Sequence, residues 1–455
     1  RRTRRVAVGA MVAVAAAALA FAAGCGSRNR RPLNVLLITL DAQRPDHLGC
    51  YGYQRKTSPN IDALAARGVL FRQANANAPW TLPSFASILT SQFPMEHGTT
   101  NPRRALPGSD WLLPKIMQRH GYFTAAAIAS GFVAPHYNIA QGFNRFMGDR
   151  FKDQATANFR CMDSPPWVTE FGLKFLKVHR EQPFFLWLHY LKPHDPYLWQ
   201  PKHHFLDAPP TDLPAYLSLP WLMSHQDELT PKQLHEVVAL YDGQTAYVDS
   251  YIGQLLAQLD RLGLRERTVV VLSSDHGEEF LQHGSFGHHP QIYQDELHVP
   301  LIIAGPAPVR GGRSVDQPVQ LVDLMPTLLD LCGIRERVPG ARGQSLLPLL
   351  TGRAGYHEQD IVASVSDPDQ TDDVEVMRSI RRGNWKLLLK VRESKTELYD
   401  LAADPGEKHN LAGRGLAIER QLREALSRYR RAKPRPGVKL DKKTEDQLRG
   451  LGYLQ

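Results

Sequence analysis

Two apolar runs constrain this chain more than any other feature, because each ends on an aspartate. Residues 34–40 lead into Asp41, and residues 268–274 lead into Asp275. Runs that are apolar at consecutive positions, rather than at alternate ones, read as strands buried on both faces. Such strands belong to parallel sheets covered by helices. Runs at 122–129, 183–189 and 299–303 repeat the signal and alternate with helical patterns. The clearest helices are 59–67, opened by Pro59 after Ser58, and 231–261. The chain is therefore expected to be an α/β protein with a mostly parallel central sheet. In such sheets ligands gather at the carboxyl ends of the strands, where Asp41 and Asp275 stand.

A third segment supplies a hydroxyl. Pro79-Trp80-Thr81-Leu82-Pro83-Ser84 opens a helix-length apolar pattern that runs to Ser91. Thr81 falls at the helix N-terminus, where free N–H groups and the helix dipole favour an anion. A free threonine hydroxyl is a poor nucleophile, but a divalent cation and a helix N-terminus both stabilise its alkoxide. A single aspartate at a strand end serves equally well as a cap for the next helix. Two of them, with His276 following one, point instead to a metal site of Asp41, Thr81, Asp275 and His276. That mixed nitrogen and oxygen set suits Zn²⁺ or Mn²⁺ and also admits Mg²⁺ or Ca²⁺. Arg44 either touches an anionic substrate or pairs with Asp46. His97 reads as structural.

The ends of the chain carry other signals. Arg1, Arg2, Arg4 and Arg5 precede a low-charge run rich in Ala and Val, and Ala22-Ala23-Gly24-Cys25 resembles a bacterial lipobox. Residues 1–25 read as a lipoprotein signal peptide, with an uncleaved anchor as the alternative, and residues 26–32 as a polar tether. On that reading the folded part is held in the cell envelope through lipidated Cys25, facing the periplasm or the exterior. Four of the charges behind the formal net +9 belong to those arginines. The remainder is scattered, which argues against a nucleic-acid partner. Cys50, Cys161 and Cys332 have no metal-ligand spacing and predict no disulfide framework, and Cys332 falls on an apolar helical pattern expected in the core. Residues 33–352 form the expected catalytic domain. After Gly352 the texture changes, so 353–455 is expected to be a smaller α+β subdomain and tail. It holds a hairpin pattern at 379–389 and a basic helical pattern at 415–431, read as solvated. Residues 198–230, rich in Pro, His and Leu, read as a surface insertion near the substrate mouth.

The chain resembles the sulfatase family of the alkaline-phosphatase-like superfamily. The resemblance runs through Asp41 to Gly52, Thr81-Leu82-Pro83-Ser84, Pro193-His194-Asp195-Pro196 and Ser274-Asp275-His276-Gly277-Glu278. It continues through His298-Val299-Pro300-Leu301, Gln344 to Leu350 and Glu397 to Pro405. It implies a three-layer sandwich, a divalent metal ion and an anionic ester substrate. Several positions depart from the family pattern. Thr81 and Phe85 stand where the family has the cysteine and arginine needed to make formylglycine, so formylglycine is not expected. Ala42 replaces a second metal aspartate, and residues 127–131 lack the sulfate-contacting lysine.

What remains resembles lipoteichoic acid synthases and phosphoethanolamine transferases, which use a threonine nucleophile beside an Asp-His pair. The resemblance also implies roles for His288, 13 residues beyond Asp275, and for His194: binding the anionic oxygens and protonating the leaving group. Three functions stay open from the sequence. The first is a metal-dependent hydrolase of sulfate or phosphate esters, acting on a sulfated or phosphorylated glycan, lipid or small molecule. The second is a phosphoryl-group transferase, and the third a non-catalytic surface lipoprotein that binds an anionic glycan.

Overall fold

The computed structural model describes residues 31–148, 163–288, 291–367, 374–429 and 442. The signal segment with Cys25, most of the tether, Cys161 and the end of the last helical pattern lie outside the described residues. The apolar runs form one mixed sheet of nine strands. They are β1 (Asn34–Leu40), β2 (Val69–Asn75), β3 (Phe123–Ile128), β4 (Arg145–Met147), β5 (Phe184–Tyr190), β6 (Thr268–Ser274), β7 (His298–Ala304), β8 (Arg313–Val315) and β9 (Val319–Gln320). Their order across the sheet is β8-β2-β7-β6-β1-β5-β3-β4, with β9 also paired to β2. Only β7 runs antiparallel to its neighbours. Strands β6, β1, β5 and β3 are parallel, as their run composition requires. The bounds of β1 and β6 are those read from sequence, β3, β5 and β7 differ from theirs by one residue at each end, and β2, β4, β8 and β9 were not read there.

Alternate residues of β1 feed two cores. Val35 and Leu37 face a layer containing helix α2 (Thr81–Thr90), which follows α1 (Pro59–Arg67) in the chain. Leu36, Ile38 and Leu40 face the opposite layer of α1, α3 (Ser164–Val178) and the long α5 (Pro231–Arg261), with α4 (Leu219–His225) just before it. Thr230 and Gln233 close α5 with a reciprocal capping box behind Pro231. Ser58 does not cap α1. Asp249 of α5 instead accepts from the N–H groups of Asn60 and Ile61, at 3.1 and 2.8 Å. That bond ties two helices of the layer together.

The segment expected as a surface insertion is anchored more deeply than its composition suggests. Leu213, Leu217, Leu219 and Leu222 are buried with Tyr197, Tyr241, Phe280 and Phe286. The last two belong to a small hairpin, Glu279–Phe280 with Phe286–Gly287.

The C-terminal part is an antiparallel sheet of β10 (Ile361–Ser366), β11 (Glu375–Arg382), β12 (Trp385–Lys390) and β13 (Lys395–Asp400), in that order. The hairpin expected at 379–389 turns at Gly383-Asn384, where Gly383 has φ 56°. Helix α6 (Ala417–Ser427) packs Leu422, Ala425 and Leu426 on this sheet and exposes Arg420 and Arg423. Among the described residues no helix is long and apolar enough to cross a membrane.

A buried ion pair fastens this sheet to the loop that follows the site. Lys386 Nζ lies 2.8 Å from Glu407 Oε1 and donates to the carbonyl of Ile292 at 2.7 Å. Replacing Lys386 by methionine strands the Glu407 carboxylate in the interior. Urea unfolding is expected to show a loss of about 3–5 kcal/mol, partly recovered in Lys386→Met/Glu407→Gln.

Candidate active site

Register sets the site. Leu40 lies opposite Ser274 in the β1–β6 pair, so Asp41 and Asp275 leave the sheet level with one another. Thr39 lies opposite His189 on the other side of β1. Asp41 is tied to β5 through its N–H, which donates to the carbonyl of Tyr190 at 2.9 Å. Gly277 then lets the chain double back closely. Its N–H donates to the carbonyl of Glu296 at 2.7 Å, and a Cβ there would lie 2.1 Å from the carbonyl oxygen of Asp295.

Helix α2 delivers the hydroxyl. Thr81 is its first residue, and Ser84, three positions on, donates to the carbonyl of Asp275 at 2.6 Å. That bond docks the first turn of α2 onto the end of β6. It leaves Thr81 Oγ1 3.4 Å from His276 Nε2. His276 donates from Nδ1 to the carbonyl of Gly277 at 2.9 Å, so its Nε2 lone pair is turned towards Thr81 and the carboxylates. Asp41 Oδ1 lies 3.3 Å and Asp275 Oδ2 3.6 Å from that nitrogen.

These atoms fit a cation. One ligand atom each from Asp41, Asp275 and His276 lies within 4.8 Å of the others, all three residues buried. Asp41 Oδ1 and Asp275 Oδ2 have no hydrogen-bond partner. Two buried carboxylate oxygens aimed at one another and at a nitrogen lone pair are costly unless a positive charge sits among them. Burial, reinforced by the charge of Asp41, pushes the Asp275 carboxyl up. Burial acts on Asp41 in the same sense, but His194, His189 and His276 outweigh it and hold that carboxyl well below the usual range.

The structure brings all four metal candidates together and adds both histidines. The His288 ring lies 4.3 Å from that of His276 and 4.8 Å from that of His194, centroid to centroid. His194 donates from Nδ1 to Asp195, at 2.9 Å to its carbonyl, with the carboxylate 3.0 Å away. Burial opposes its charge, yet the carboxylates of Asp41, Asp195 and Glu278 push the imidazole up to about 10. His288 differs: burial, with the neighbouring charges of His276 and His194, holds it well below the usual value. Its Nδ1 donates to Glu278 Oε1 at 2.9 Å, and Tyr197 donates to the other oxygen at 2.9 Å.

Arg44 is held by carboxylates of its own. Its guanidinium grips Asp46 at 2.9 and 2.7 Å, reaches Asp295 at 3.0 Å and donates to the carbonyl of Glu278 at 3.0 Å. The structure thus forms the pairing with Asp46 that the sequence offered. His97 is likewise structural: Nε2 lies 3.1 Å from the Ser87 hydroxyl and Nδ1 accepts from the Thr99 N–H at 3.0 Å. Sequence reasoning passed over Glu278, Asp195 and His189 as site residues. Glu278 and Asp195 stand inside the quoted motifs and were visible there. His189 becomes visible only through the pairing of β5 with β1.

With this geometry in hand, comparison with known proteins is informative. The family model described as Sulfatase matches residues 33–334, and the one described as N-sulphoglucosamine sulphohydrolase, C-terminal, matches 282–432. Mouse arylsulfatase K is 26% identical over 449 residues, covering 88% of this chain and 80% of that protein. The delta 4,5-hexuronate-2-O-sulfatase of Bacteroides thetaiotaomicron is 24% identical, covering 86% of each. Among solved structures, the phosphonate monoester hydrolase of Agrobacterium radiobacter superposes with a TM-score of 0.72 at 22% identity, covering 88% of this chain and 95% of that one. A second structure, held in complex with its substrate D-glucosamine-2-N,6-O-disulfate, gives 0.73 at 21% identity, covering 88% and 97%. These two likenesses establish the alkaline-phosphatase-like sandwich.

Proposed function

The chain belongs to the sulfatase family, and on that premise we propose that it is a metal-dependent hydrolase of sulfate or phosphate esters in which Thr81 itself is the nucleophile. One observation carries the reading. The Thr81 hydroxyl, on the first turn of α2, sits at 3.4 Å from His276 Nε2 beside two buried carboxylate oxygens that have no other partner. Asp41, Asp275, His276 and Thr81 would hold one divalent cation, which supplies Lewis-acid stabilisation of the anionic oxygens and of the threonine alkoxide.

The chain's own residues account for the rest of the reaction. Thr81, its proton already released to solvent, attacks the sulfur or phosphorus in line as the alkoxide, the bond to the ester oxygen breaks, and His194, held charged by Asp195, gives that oxygen its proton and is left neutral. His288, whose Nδ1 proton is held by Glu278 and whose ring stays neutral, keeps a lone pair on Nε2; it therefore suits accepting a hydrogen bond from the attacking water or a substrate hydroxyl and not the binding of an anionic oxygen. Water then attacks the sulfur or phosphorus of the threonine adduct and gives a proton to the neutral His194, while the bond to the Thr81 oxygen breaks, freeing the Thr81 alkoxide and releasing sulfate or phosphate. Because Thr81 has no geminal hydroxyl, its adduct cannot collapse by breaking the carbon–oxygen bond and needs that second attack. The relatives' substrates suggest a sulfated sugar, and the phosphonate monoester hydrolase neighbour suggests that phosphorus esters belong in the same trial. The N-terminal lipobox supports a setting in the cell envelope.

The experiment is turnover of p-nitrophenyl sulfate, p-nitrophenyl phosphate and its phosphodiester with Zn²⁺, Mn²⁺, Mg²⁺ or Ca²⁺ added. Metal-dependent release of p-nitrophenol supports the reading, and silence on all of them counts against it. Leaving-group protonation by His194 has its own signature. His194→Ala is expected to cost about 10²–10⁴-fold on an alkyl ester and far less on a p-nitrophenyl ester, whose leaving group needs little help. Equal losses on both would remove His194 from that role.

A further inference from the structure

One buried group remains unexplained by this chemistry. His189 is fully buried at the end of β5, and its Nε2 lies 3.3 Å from Asp41 Oδ2, on the far side of the carboxylate from His276. Its Nδ1 lies 3.0 Å from the Thr39 hydroxyl, and that hydroxyl accepts from the indole N–H of Trp187 at 2.9 Å. The directions of these bonds follow from the groups. An indole N–H only donates, so Thr39 receives it and keeps its own hydrogen for His189 Nδ1. Nδ1 is then an acceptor, and Nε2 carries the proton that faces Asp41. The reverse tautomer would set a nitrogen lone pair against a carboxylate.

We propose that His189 is the positioning residue of the metal site: through the directed chain Trp187–Thr39–His189 it pins Asp41 Oδ2 and so turns Asp41 Oδ1 to the cation. The proposal rests on the metal reading above and adds a residue to it. It also gives Phe85 a role. The Phe85 ring lies 4.8 Å from both the Trp187 and His189 rings, edge-on to the imidazole. With Phe85 fully buried, its apolar ring closes the chain off from water, which would otherwise compete for the imidazole. The residue that removes the formylglycine signature thus packs on the group that orients the metal carboxylate. A partner of this kind fixes the geometry of a ligand without touching the ion, and its loss typically costs about 10–100-fold in metal affinity.

The test is Mn²⁺ affinity by electron paramagnetic resonance on the full chain, read beside thermal unfolding of the metal-free protein. His189→Leu is expected to weaken Mn²⁺ binding by about 10–100-fold. His189→Gln, whose amide keeps an N–H near the Nε2 position, is expected to restore most of it. Thr39→Val, which keeps the shape and frees the tautomer, is expected to fall between them. A His189→Leu protein that unfolds earlier yet binds Mn²⁺ as tightly as the wild type would overturn the proposal and leave a packing role. His189→Gln as weak as His189→Leu would overturn it in favour of direct ligation. A wild-type protein that binds neither Mn²⁺ in this assay nor Zn²⁺, Mg²⁺ or Ca²⁺ by calorimetry would overturn the metal reading itself and this inference with it.

Discussion

Thr81→Ala is expected to lower kcat/KM for any accepted ester by roughly 10⁴–10⁶-fold, the loss seen when a covalent nucleophile is removed and binding remains. The argument rests on where the hydroxyl sits. Ser84 docks the first turn of α2 onto β6 through the Asp275 carbonyl, so the substitution removes one oxygen and leaves the docking intact. Thr81 is only one of the four cation-holding groups, and Mn²⁺ affinity is expected to fall far less than turnover. Thr81→Ser is expected to retain much of the activity, because the oxygen stays on the first turn of the helix. Thr81→Cys is expected to remain a thiol even beside a formylglycine-generating enzyme, since Phe85 occupies the arginine position of that signature. Peptide mass mapping of the expressed variant checks this directly.

Removing the metal is the second large effect. Dialysis against a chelator is expected to abolish turnover and to lower the unfolding temperature, with both restored by the right divalent ion. At a free metal concentration a hundred times Kd, binding contributes about 2.7 kcal/mol of stability. The metal-free protein is left with Asp41 Oδ1 and Asp275 Oδ2 buried and unpartnered. Asp275→Asn keeps the acceptor that receives the His276 N–H at 3.1 Å and replaces the other oxygen by a donor. That variant is therefore expected to bind no metal and yet to unfold later than the chelated wild type.

For Asp275 the pH dependence takes opposite signs in the metal-free and metal-loaded states. Burial and Asp41 push the Asp275 carboxyl up, so the metal-free protein takes up a proton on folding. The Asp275 contribution to stability is full below the ordinary carboxylate range and is lost as the pH rises through the raised value, whereas Asp41, held low, contributes in the opposite sense. The loaded protein needs deprotonated ligands, so it loses metal and stability as the pH falls.

The sheet was readable because β1 and β6 are buried on both faces, and such strands leave a continuous apolar run with a sharp polar end. Thr81 was readable as a helix N-terminus because the apolar pattern begins immediately after it. Which residues meet at the site was readable only in part. That Asp41 and Asp275 stand level depends on Leu40 pairing with Ser274, a register that neither run encodes alone. The same holds for His189, whose meaning comes from Thr39 across the strand pair. Arg44 sits three residues beyond Asp41, yet Asp46 and Asp295 take its guanidinium, and Asp295 is distant in sequence. The 198–230 segment looked like a surface excursion because its leucines have no period. Leu213, Leu217, Leu219 and Leu222 are nevertheless buried, against Tyr197, Tyr241 and the small hairpin.

The central claim is that unmodified Thr81 carries the covalent intermediate. Its most direct test is rapid acid quenching of the metal-loaded enzyme during turnover of an excess of aryl ester, followed by mass mapping of the peptide that contains residue 81. The account predicts a fraction of that peptide heavier by one sulfuryl or phosphoryl group, located on Thr81. Steady turnover with Thr81 unmodified at every quench time, or the group found on another residue, would contradict it.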